Sequence, residues 1–392
     1  MPGRTPIVVA DDLTGACEVA AVAHRHGIAA EVCLGVVTPQ EGDVLSVVDT
    51  DTRLLPPDEA ARRVTDCLGN LRRVDNRPLL FKKVDSVLRG PVAAELRAAA
   101  ESTGCARALL VPANPALGRT IEAGRYRIHG TPLHQTDFAR DPCHPARTDE
   151  VVRILREGGL RPVVSLRPGD PLPARGLAVG DADDDADLDH WAEQLDNGTL
   201  AAGSAAFFSS VLRRHHGHPE ESAGDAPPPP EGPVLLVSGT TSATAQKRLA
   251  AAFGHGHPSN RLGKEDIDQW TAGLRAGLDS SGSTAAYMAP IDRPDPAMAP
   301  AVAAALAEVT FRTVSNRSPL HLIVEGGATA VAVARRLGWT RLRVTREWSP
   351  GVVSLSPREA PRATFTLKPG SYPWPPALEN LFETAKPESA AT

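Results

Sequence analysis

The chain lacks the patterns that mark several classes of protein. No apolar run approaches the roughly 20 residues that a membrane-spanning helix requires, and residues 1–7 lack the basic and then apolar regions of a secretory signal. A formal net charge of −5 gives no electrostatic reason to bind nucleic acid or an acidic membrane surface. We therefore expect a cytoplasmic protein with neither nucleic-acid nor membrane partners.

Cysteine spacing excludes two further kinds of site. The chain has five cysteines, an odd number, and no Cys-x-x-Cys pair, which argues against both a disulfide framework and a zinc site. Two motifs typical of hydrolases, Gly-x-Ser-x-Gly and His-Glu-x-x-His, are also absent. The sequence therefore gives no sign of a hydrolase nucleophile or a zinc centre.

Length and pattern predict the architecture. At 392 residues the chain is long enough for two domains, each with its own core. Strand-like runs alternate with helix-like segments, which favours parallel sheets, and His216–Gly232, with four consecutive prolines, has the composition of a stiff linker. We predict an α/β protein of two domains, each a mostly parallel sheet flanked by helices: residues 1–216, a linker at 217–232, residues 233–382, and a flexible tail at 383–392.

Two polar stretches in the first half follow apolar, strand-like runs. Lys82–Gly90 follows the run Pro78–Phe81, and Ala10–Ala16 follows another. Open α/β sheets bind ligands at the carboxyl ends of their strands. Lysine and arginine suit an anionic group, aspartate and serine suit hydroxyls, and glycine permits close backbone approach. Either stretch alone could be a solvated turn; together they predict a binding site.

Two other polar segments have competing interpretations. The long segment after Pro112 predicts a functional loop, with Arg119 and Thr120 as its ligand candidates; the alternative is an excursion that packs on its own prolines. The acidic run Asp181–Asp189 is interpreted as a solvated helix start, because aspartate is favoured near helix N-termini.

The second half carries two small-residue turns, each after an apolar run and before a predicted helix. These turns are Ser238-Gly239-Thr240 and Gly326–Thr329, and Lys368-Pro369-Gly370 follows a third apolar run. Backbone N–H groups and the helix dipole at such turns favour phosphate. Neither turn is a P-loop or a Gly-x-Gly-x-x-Gly motif. We predict a nucleotide site from the combination.

Taken in order, these stretches resemble the four-carbon acid sugar kinase family, the ATP-dependent kinases of threonate, erythronate and 3-dehydrotetronate. In the N-terminal half the resemblance rests on Ala10–Ala16, Thr52-Arg53, Lys82–Gly90, Gly118–Thr120 and Gly130–Leu133. In the C-terminal half it rests on Ser238-Gly239, Gln246, Gly326–Ala330, Pro350-Gly351 and Lys368–Gly370.

The resemblance implies a sugar-acid domain at residues 1–216 and a nucleotide domain at residues 233–382. It implies ATP and Mg²⁺ as cofactors and a small-molecule sugar acid as the partner. The expected substrate-binding residues are Asp11, Asp12, Arg53, Lys83, Val84, Asp85, Ser86, Arg89 and Arg119. The expected catalytic residues are Asp12, Lys83 and Asp85. The expected nucleotide-binding residues are Ser238, Gly326, Gly327, Ala328, Thr329 and Gly370.

The chemistry of these side chains agrees with such roles. Arg53 and Lys83 suit the substrate carboxylate, and Asp85 and Ser86 suit its hydroxyls. Asp12 is the preferred acceptor of the proton from the attacked hydroxyl, and no dedicated nucleophile is expected, because phosphoryl transfer needs mainly positioning and charge neutralisation. The metal ligands are left open, and so is the oligomeric state, with a homodimer among the options.

The sequence departs from the family pattern at three places. Ala328 stands where an acidic residue normally follows the double glycine, Val87 replaces the usual threonine, and the turn Lys-Ser-Gly-Asn-Phe-Gly becomes Lys368–Pro373. These departures leave two alternatives open. One is a sugar-acid-binding relative with a degraded ATP site, and the other is a kinase of the same fold that takes a different acid or alcohol.

Overall fold

The computed structural model describes residues 6–35, 44–69, 79–217, 232–240, 243–253, 256–257, 262–289, 296–315, 317–370 and 372–383. The chain divides into two compact units, Met1–Ala223 and Gly224–Thr392. Of the predicted linker the structure describes only residues 217 and 232, and of the predicted tail only residue 383. The predicted domain limits stay predictions.

The first unit alternates strands and helices, as the sequence pattern predicts. Its elements are β1 (Ile7–Ala10), α1 (Leu13–Arg25), β2 (Ala30–Leu34), β3 (Leu45–Asp49), α2 (Pro57–Gly69), β4 (Leu80–Lys83), α3 (Val92–Thr103), β5 (Arg107–Val111), β6 (Arg119–Glu122), β7 (Arg125–Ile128), β8 (Thr131–Pro132), α4 (Val151–Glu157), β9 (Val163–Leu166), β10 (Gly176–Gly180), α5 (Asp185–Glu193), β11 (Thr199–Gly203) and α6 (Ala205–His216).

The main sheet of this unit is parallel at every described pairing. Its strand order is β2-β3-β1-β4-β11-β5-β10-β9. The chain runs from β1 to β2 and β3 on one side and then crosses to β4 on the other, so β1 lies at a topological switch point. In such sheets the crevice outside the strand ends at the switch point is the usual ligand site. Helix α1 packs against α6, and α2 packs against α3.

The segment after Pro112, predicted as a loop, contains a small antiparallel sheet of β6, β7 and β8. Ile121 and Tyr126, paired across β6 and β7, are fully buried. Asp181 fixes this sheet to the unit, because its Oδ1 accepts hydrogen bonds from Gly124 N at 2.9 Å and Ser165 Oγ at 3.2 Å. The interpretation of the acidic run as a solvated helix start is therefore wrong at Asp181. This side chain is buried, and its hydrogen bonds to Gly124 and Ser165 compensate for the loss of water.

The second unit has a mixed sheet. Its elements are β12 (Val234–Ser238), α7 (Ala243–Phe253), α8 (Lys264–Ser281), β13 (Ser283–Tyr287), α9 (Ala299–Val314), β14 (Leu320–Glu325), α10 (Gly327–Arg336), β15 (Arg341–Ser349), β16 (Val352–Pro357), β17 (Ala363–Lys368) and α11 (Pro376–Glu383).

The strands of this unit run in the order β13-β12-β14-β17-β16-β15. The first four are parallel, whereas β16 is antiparallel to both of its neighbours. Leu236, Leu249, Ile323 and Leu378 belong to its buried core. The predicted α/β class, with two mostly parallel sheets flanked by helices, is confirmed. Across the described residues, no helix is long and apolar enough to cross a membrane.

Candidate active site

Arg53 lies at the centre of a polar cluster at the carboxyl ends of β1, β3 and β4. Its Nε donates to Asp11 Oδ2 at 2.7 Å, and its Nη1 lies 2.5 Å from Asp12 Oδ2. Its Nη2 lies 3.6 Å from Asp85 Oδ1. Because these three strands are parallel neighbours, their ends deliver all four side chains to one edge of the sheet. The structure thus brings four of the predicted substrate residues together.

The two neighbouring aspartates differ in the direction of their pKa shifts. Burial opposes ionisation of Asp11, but the positive charges of Arg53 and Lys82 outweigh it, and the pKa of Asp11 lies below its usual value. Burial raises the pKa of Asp12, and Asp11 adds to this effect against the opposing charge of Arg53. Carboxylates whose pKa values diverge in this way suit different roles, one kept ionised and one able to accept a proton.

Hydrogen bonds distinguish the same two carboxylates. Asp12 is the N-cap of α1, and its Oδ1 accepts from Gly15 N at 2.7 Å. Asp11 is buried, and its Oδ1 has no hydrogen-bond partner among the described residues. A buried carboxylate oxygen without a partner is costly unless something binds it, so Asp11 has an acceptor atom to offer to a substrate hydroxyl.

Asp85 holds the turn that follows β4. Its Oδ2 accepts from the backbone N–H groups of Val87 and Arg89, at 3.3 and 3.1 Å, and the Arg89 side chain donates to both of its oxygens at 2.8 and 2.9 Å. Burial opposes ionisation, but Arg53 and Arg89 more than offset it and hold the pKa of Asp85 well below its usual value. At Gly90 a Cβ would lie 2.9 Å from the Arg53 carbonyl oxygen, so the close approach requires glycine.

Lys82 and Lys83 are consecutive in β4, so their side chains point to opposite faces of the sheet. Lys83 Nζ lies 3.3 Å from Glu18 Oε2 of α1 and donates to Val84 O at 3.1 Å. Lys82 Nζ lies 3.0 Å from Glu95 Oε2 of α3, and both of these side chains are almost fully buried. Sequence reasoning missed Glu18 and Glu95. The available signal is the period-two alternation of a strand, which places two consecutive lysines on opposite faces and so predicts a separate acidic partner for each.

Ser86 connects the turn after β4 to the small sheet. Its hydroxyl accepts a hydrogen bond from Arg119 Nη1, and its carbonyl oxygen accepts one from the Tyr126 hydroxyl. Tyr126 is fully buried, and burial raises its pKa. Arg119, predicted as a ligand residue, therefore lies beside the predicted substrate motif, and Tyr126, which sequence reasoning missed, helps to hold the two together.

In the second unit, a buried network joins the carboxyl ends of β12, β14 and β17. Glu325 Oε2 accepts from Ser238 Oγ at 2.7 Å, and its Oε1 accepts from Lys368 Nζ at 2.8 Å and from Trp374 Nε1 at 3.2 Å. Glu325 and Lys368 are each only 1% exposed. Burial lowers the pKa of Lys368 against the opposing effect of Glu325. Of this network, only Ser238 was predicted as a nucleotide residue.

The two predicted phosphate turns approach each other at the end of this network. Gly326 is the N-cap of α10 with φ +103°, a conformation that favours glycine, and Gly327 to Thr329 form the first turn of that helix. A Cβ on Gly239 would collide with Thr329 Oγ1. The backbone N–H groups at the start of α10 have no helical acceptor and are suited to an anion. Gly370 is exposed, with open space where a Cβ would lie.

The turns offer no unpartnered carboxylate to Mg²⁺ among the residues that the structure describes. Both oxygens of Glu325 are hydrogen-bonded, and Ala328 has no ligand atom. Within the described ranges, no group of three His, Cys, Asp or Glu side chains is placed to hold a metal ion. The described residues of the turns therefore do not form a carboxylate site for Mg²⁺.

Comparison with known proteins agrees with this two-site arrangement. Residues 6–211 match a family model described as a sugar-binding N-terminal domain, and residues 235–372 match one described as a nucleotide-binding C-terminal domain. A D-threonate kinase of Cupriavidus necator is 32% identical over 386 residues, which cover 88% of this chain and 89% of that protein. The chain belongs to the four-carbon acid sugar kinase family. The resemblance stated from the sequence is thereby confirmed.

Further relatives that are named as kinases cover between 38% and 94% of the chain. A D-threonate kinase of Salmonella typhimurium is 32% identical over 200 residues, so the aligned part spans about half of that relative, 46%. Further relatives are named D-erythronate kinase and 3-oxo-tetronate kinase. A solved Salmonella typhimurium structure, described as a putative tRNA synthase, has a TM-score of 0.76 at 22% identity and covers 98% of this chain and 99% of its own; at that identity it shows the shared fold alone.

Proposed function

We propose that this protein transfers the γ-phosphoryl group of ATP to a hydroxyl of a four-carbon sugar acid of the threonate or erythronate type, in the cytoplasm. The observation that carries the proposal is the cluster of Asp11, Asp12 and Asp85 around Arg53. It lies within the part of the chain that matches a sugar-binding model. The carboxylates suit a polyhydroxy acid because they accept hydrogen bonds from its hydroxyls, and cationic side chains in the same unit can attract its carboxylate.

Asp12 is the proton acceptor in this proposal. As the substrate hydroxyl oxygen forms its bond to the γ-phosphorus, the bond from that phosphorus to the leaving ADP oxygen breaks, and the hydroxyl proton passes to Asp12. The raised pKa of Asp12 favours proton uptake, whereas Asp11 stays ionised and accepts a hydrogen bond through its free Oδ1. Arg53 fixes the two carboxylates side by side.

The turn after β4 supplies the remaining substrate contacts. Lys83 and Asp85 are proposed as catalytic residues, with Lys83 adding positive charge near the reacting groups and Asp85 orienting a hydroxyl. Val84, Ser86, Arg89 and Arg119 complete the substrate set. Their proximity in the structure supports the assignment, since Ser86 contacts Arg119 and Asp85 contacts Arg89.

ATP binds the second unit in this proposal, with its phosphates at the backbone of Gly326 to Thr329 and near Ser238 and Gly370. Mg²⁺ would enter together with ATP and would neutralise charge on its phosphates, which is consistent with the absence of an unpartnered carboxylate at the described residues of these turns. The chemistry then depends on positioning and on neutralising phosphate charge. The alternative of a non-catalytic binding protein has no support from the relatives, whose names are those of kinases.

Calorimetric titration tests the proposal. We expect the purified protein to bind MgATP, and threonate or erythronate, each with a saturable heat. Acid binding without nucleotide binding would contradict the kinase function, and the absence of acid binding would contradict the substrate class. A panel of acids and polyols, assayed by ADP release, would then separate a threonate or erythronate kinase from one that takes a different acid or alcohol.

A further inference from the structure

The four-carbon acids of the proposed function carry a carboxylate, so a site that performs that function must supply a cation for it. Around the cluster, most cationic side chains already face a protein carboxylate. Arg53 is paired with Asp11 at 2.7 Å. The other paired cations and their shortest distances are Lys82 with Glu95 at 3.0 Å, Lys83 with Glu18 at 3.3 Å, and Arg89 with Asp85 at 2.8 Å.

Arg119 differs from these cations. Its guanidinium donates to the neutral hydroxyl of Ser86, and no carboxylate among the described residues lies within ion-pair distance of it. Exchanging a neutral hydroxyl for a carboxylate gains a stronger, charge-assisted hydrogen bond. By contrast, drawing Arg53 or Lys83 towards a substrate would leave a largely buried carboxylate without its partner, which is costly.

The small sheet fixes where Arg119 lies. In the β6–β7 ladder, Ile121 pairs directly with Tyr126, and both are buried. Arg119 is two residues before Ile121 and therefore lies on the same face of the sheet. Tyr126 donates from that face to the carbonyl oxygen of Ser86. The buried face of the sheet thus presents Arg119 to the substrate motif.

We propose, on the basis of the proposed function, that Arg119 binds the carboxylate of the substrate and makes the site selective for sugar acids over neutral polyols. The small sheet is then a recognition element built into the first unit. This assigns the carboxylate to Arg119 in place of Arg53 and Lys83, which the sequence favours for that role and which here neutralise protein carboxylates.

The test compares two ligands that differ mainly at one group: threonate, and threitol, the neutral polyol. Binding of each to the full chain is measured by calorimetry for the wild type, Arg119→Gln and Arg127→Gln. Arg127 is the matched control, because it lies on β7 opposite Thr120, on the other face of the small sheet, and donates to Gly130 O at 3.2 Å. Thermal unfolding of each variant checks that the fold is intact.

We expect Arg119→Gln to weaken threonate binding by about 10- to 100-fold, the range for a lost hydrogen bond to a charged group. Threitol affinity and the behaviour of Arg127→Gln should match the wild type, and Arg119→Lys should recover part of the threonate affinity. An equal loss for threonate and threitol, or no loss for threonate, would overturn the inference.

The same data separate this inference from the proposed function. A wild type that binds threonate and releases ADP in its presence, with an Arg119→Gln variant of unchanged threonate affinity, would overturn the inference alone. A wild type that binds no four-carbon acid would overturn both.

Discussion

The two candidate sites of this protein differ in how their charged side chains are buried and paired. In the first unit, Arg53 is 17% exposed and is shared among several carboxylates. One of them, Asp11, has an oxygen that accepts no hydrogen bond from the part of the chain that the structure describes. In the second unit, Glu325 and Lys368 are each 1% exposed, and both carboxylate oxygens of Glu325 are hydrogen-bonded. In the first arrangement Asp11 can still accept a hydrogen bond from a ligand, whereas the second is a closed scaffold.

This difference explains why the second site can tolerate Ala328. A closed scaffold leaves ligand binding to backbone N–H groups at the turns, and such groups do not depend on the side chain that carries them. Ala328, in place of an acidic residue, is exposed on the first turn of α10 and does not alter that backbone. In the first unit the charged side chains around Arg53 are specific donors or acceptors, so substitutions of these side chains should affect catalysis directly.

The largest expected effect comes from Asp12→Asn in the first unit. Loss of the proton acceptor should lower kcat by about 10²- to 10⁴-fold, with little change in the melting temperature, because asparagine is also a good N-cap for α1. The measurement is acid-dependent ADP release. Asp66→Asn, on the exposed face of α2, is the control and should retain wild-type turnover. Full activity of Asp12→Asn would show that another group takes the proton.

Lys83→Ala in the same unit should abolish turnover, measured by the same acid-dependent ADP release.

The second largest effect is expected in the free energy of unfolding, when the buried ion pair of the second unit is broken. Glu325→Ala leaves the Lys368 ammonium buried without its carboxylate partner, although it still donates to Pro369 O at 2.8 Å, and should lower the free energy of unfolding by about 3–5 kcal/mol. The double variant Glu325→Leu/Lys368→Met should recover much of this loss, since apolar replacement of a buried pair is often tolerated. Asp66→Ala, which breaks the exposed pair with Arg62, should cost less than about 1 kcal/mol. Denaturant unfolding measures all three; a small loss for Glu325→Ala would contradict the closed scaffold.

A smaller effect is expected from Gly239→Ala at the nucleotide turn. The new Cβ would collide with Thr329 Oγ1, and the turn must shift to relieve the contact. We expect KM for ATP to rise by about 10-fold, near the lower range for a lost charge-assisted hydrogen bond, with KM for the acid unchanged. Gly273→Ala in α8, where a Cβ meets no atom within 4 Å, is the control. Equal KM values for ATP in both variants would remove this turn from the nucleotide site.

The smallest predicted effect is a displacement of the acid limb of the pH–rate profile. Asp12 must be ionised to accept a proton, so kcat should fall as pH decreases through its pKa. Because that pKa is raised from the ordinary value of 3.8, the fall should begin at a higher pH than for an exposed aspartate. The profile of kcat against pH measures this. Any residual activity of Asp12→Asn should lack the limb, and an unchanged limb in that variant would assign it to a different group.

The position of many candidate site residues at strand ends could be predicted from the sequence, because these residues are close in the chain. Apolar runs followed by Asp11, Asp12 and Lys82–Gly90 give both the strand and its functional end, and parallel strands bring such ends to one edge. The two small-residue turns were found in the same way. Family resemblance then supplied the order of the sites, which the comparisons confirm at the level of the family.

Long-range partners could not be predicted, since no local pattern specifies them. Tyr126 meets Ser86 only because the segment after Pro112 folds into a hairpin, and its polar, proline-rich composition does not reveal the β6–β7 register. Glu325 and Lys368 meet because β14 and β17 are adjacent, a pairing that depends on the topology of the whole sheet. A buried charge pair is also unexpected from composition, because charged residues are rarely fully buried unless paired.

The most direct test of the central claim is ADP release by the wild type and by Asp12→Asn with threonate, erythronate and 3-dehydrotetronate, with the product identified by phosphorus NMR. The account predicts acid-dependent ADP release by the wild type, a phosphate ester on the acid, and almost none of either with Asp12→Asn. ATP binding without acid-dependent ADP release for any of these acids would contradict it.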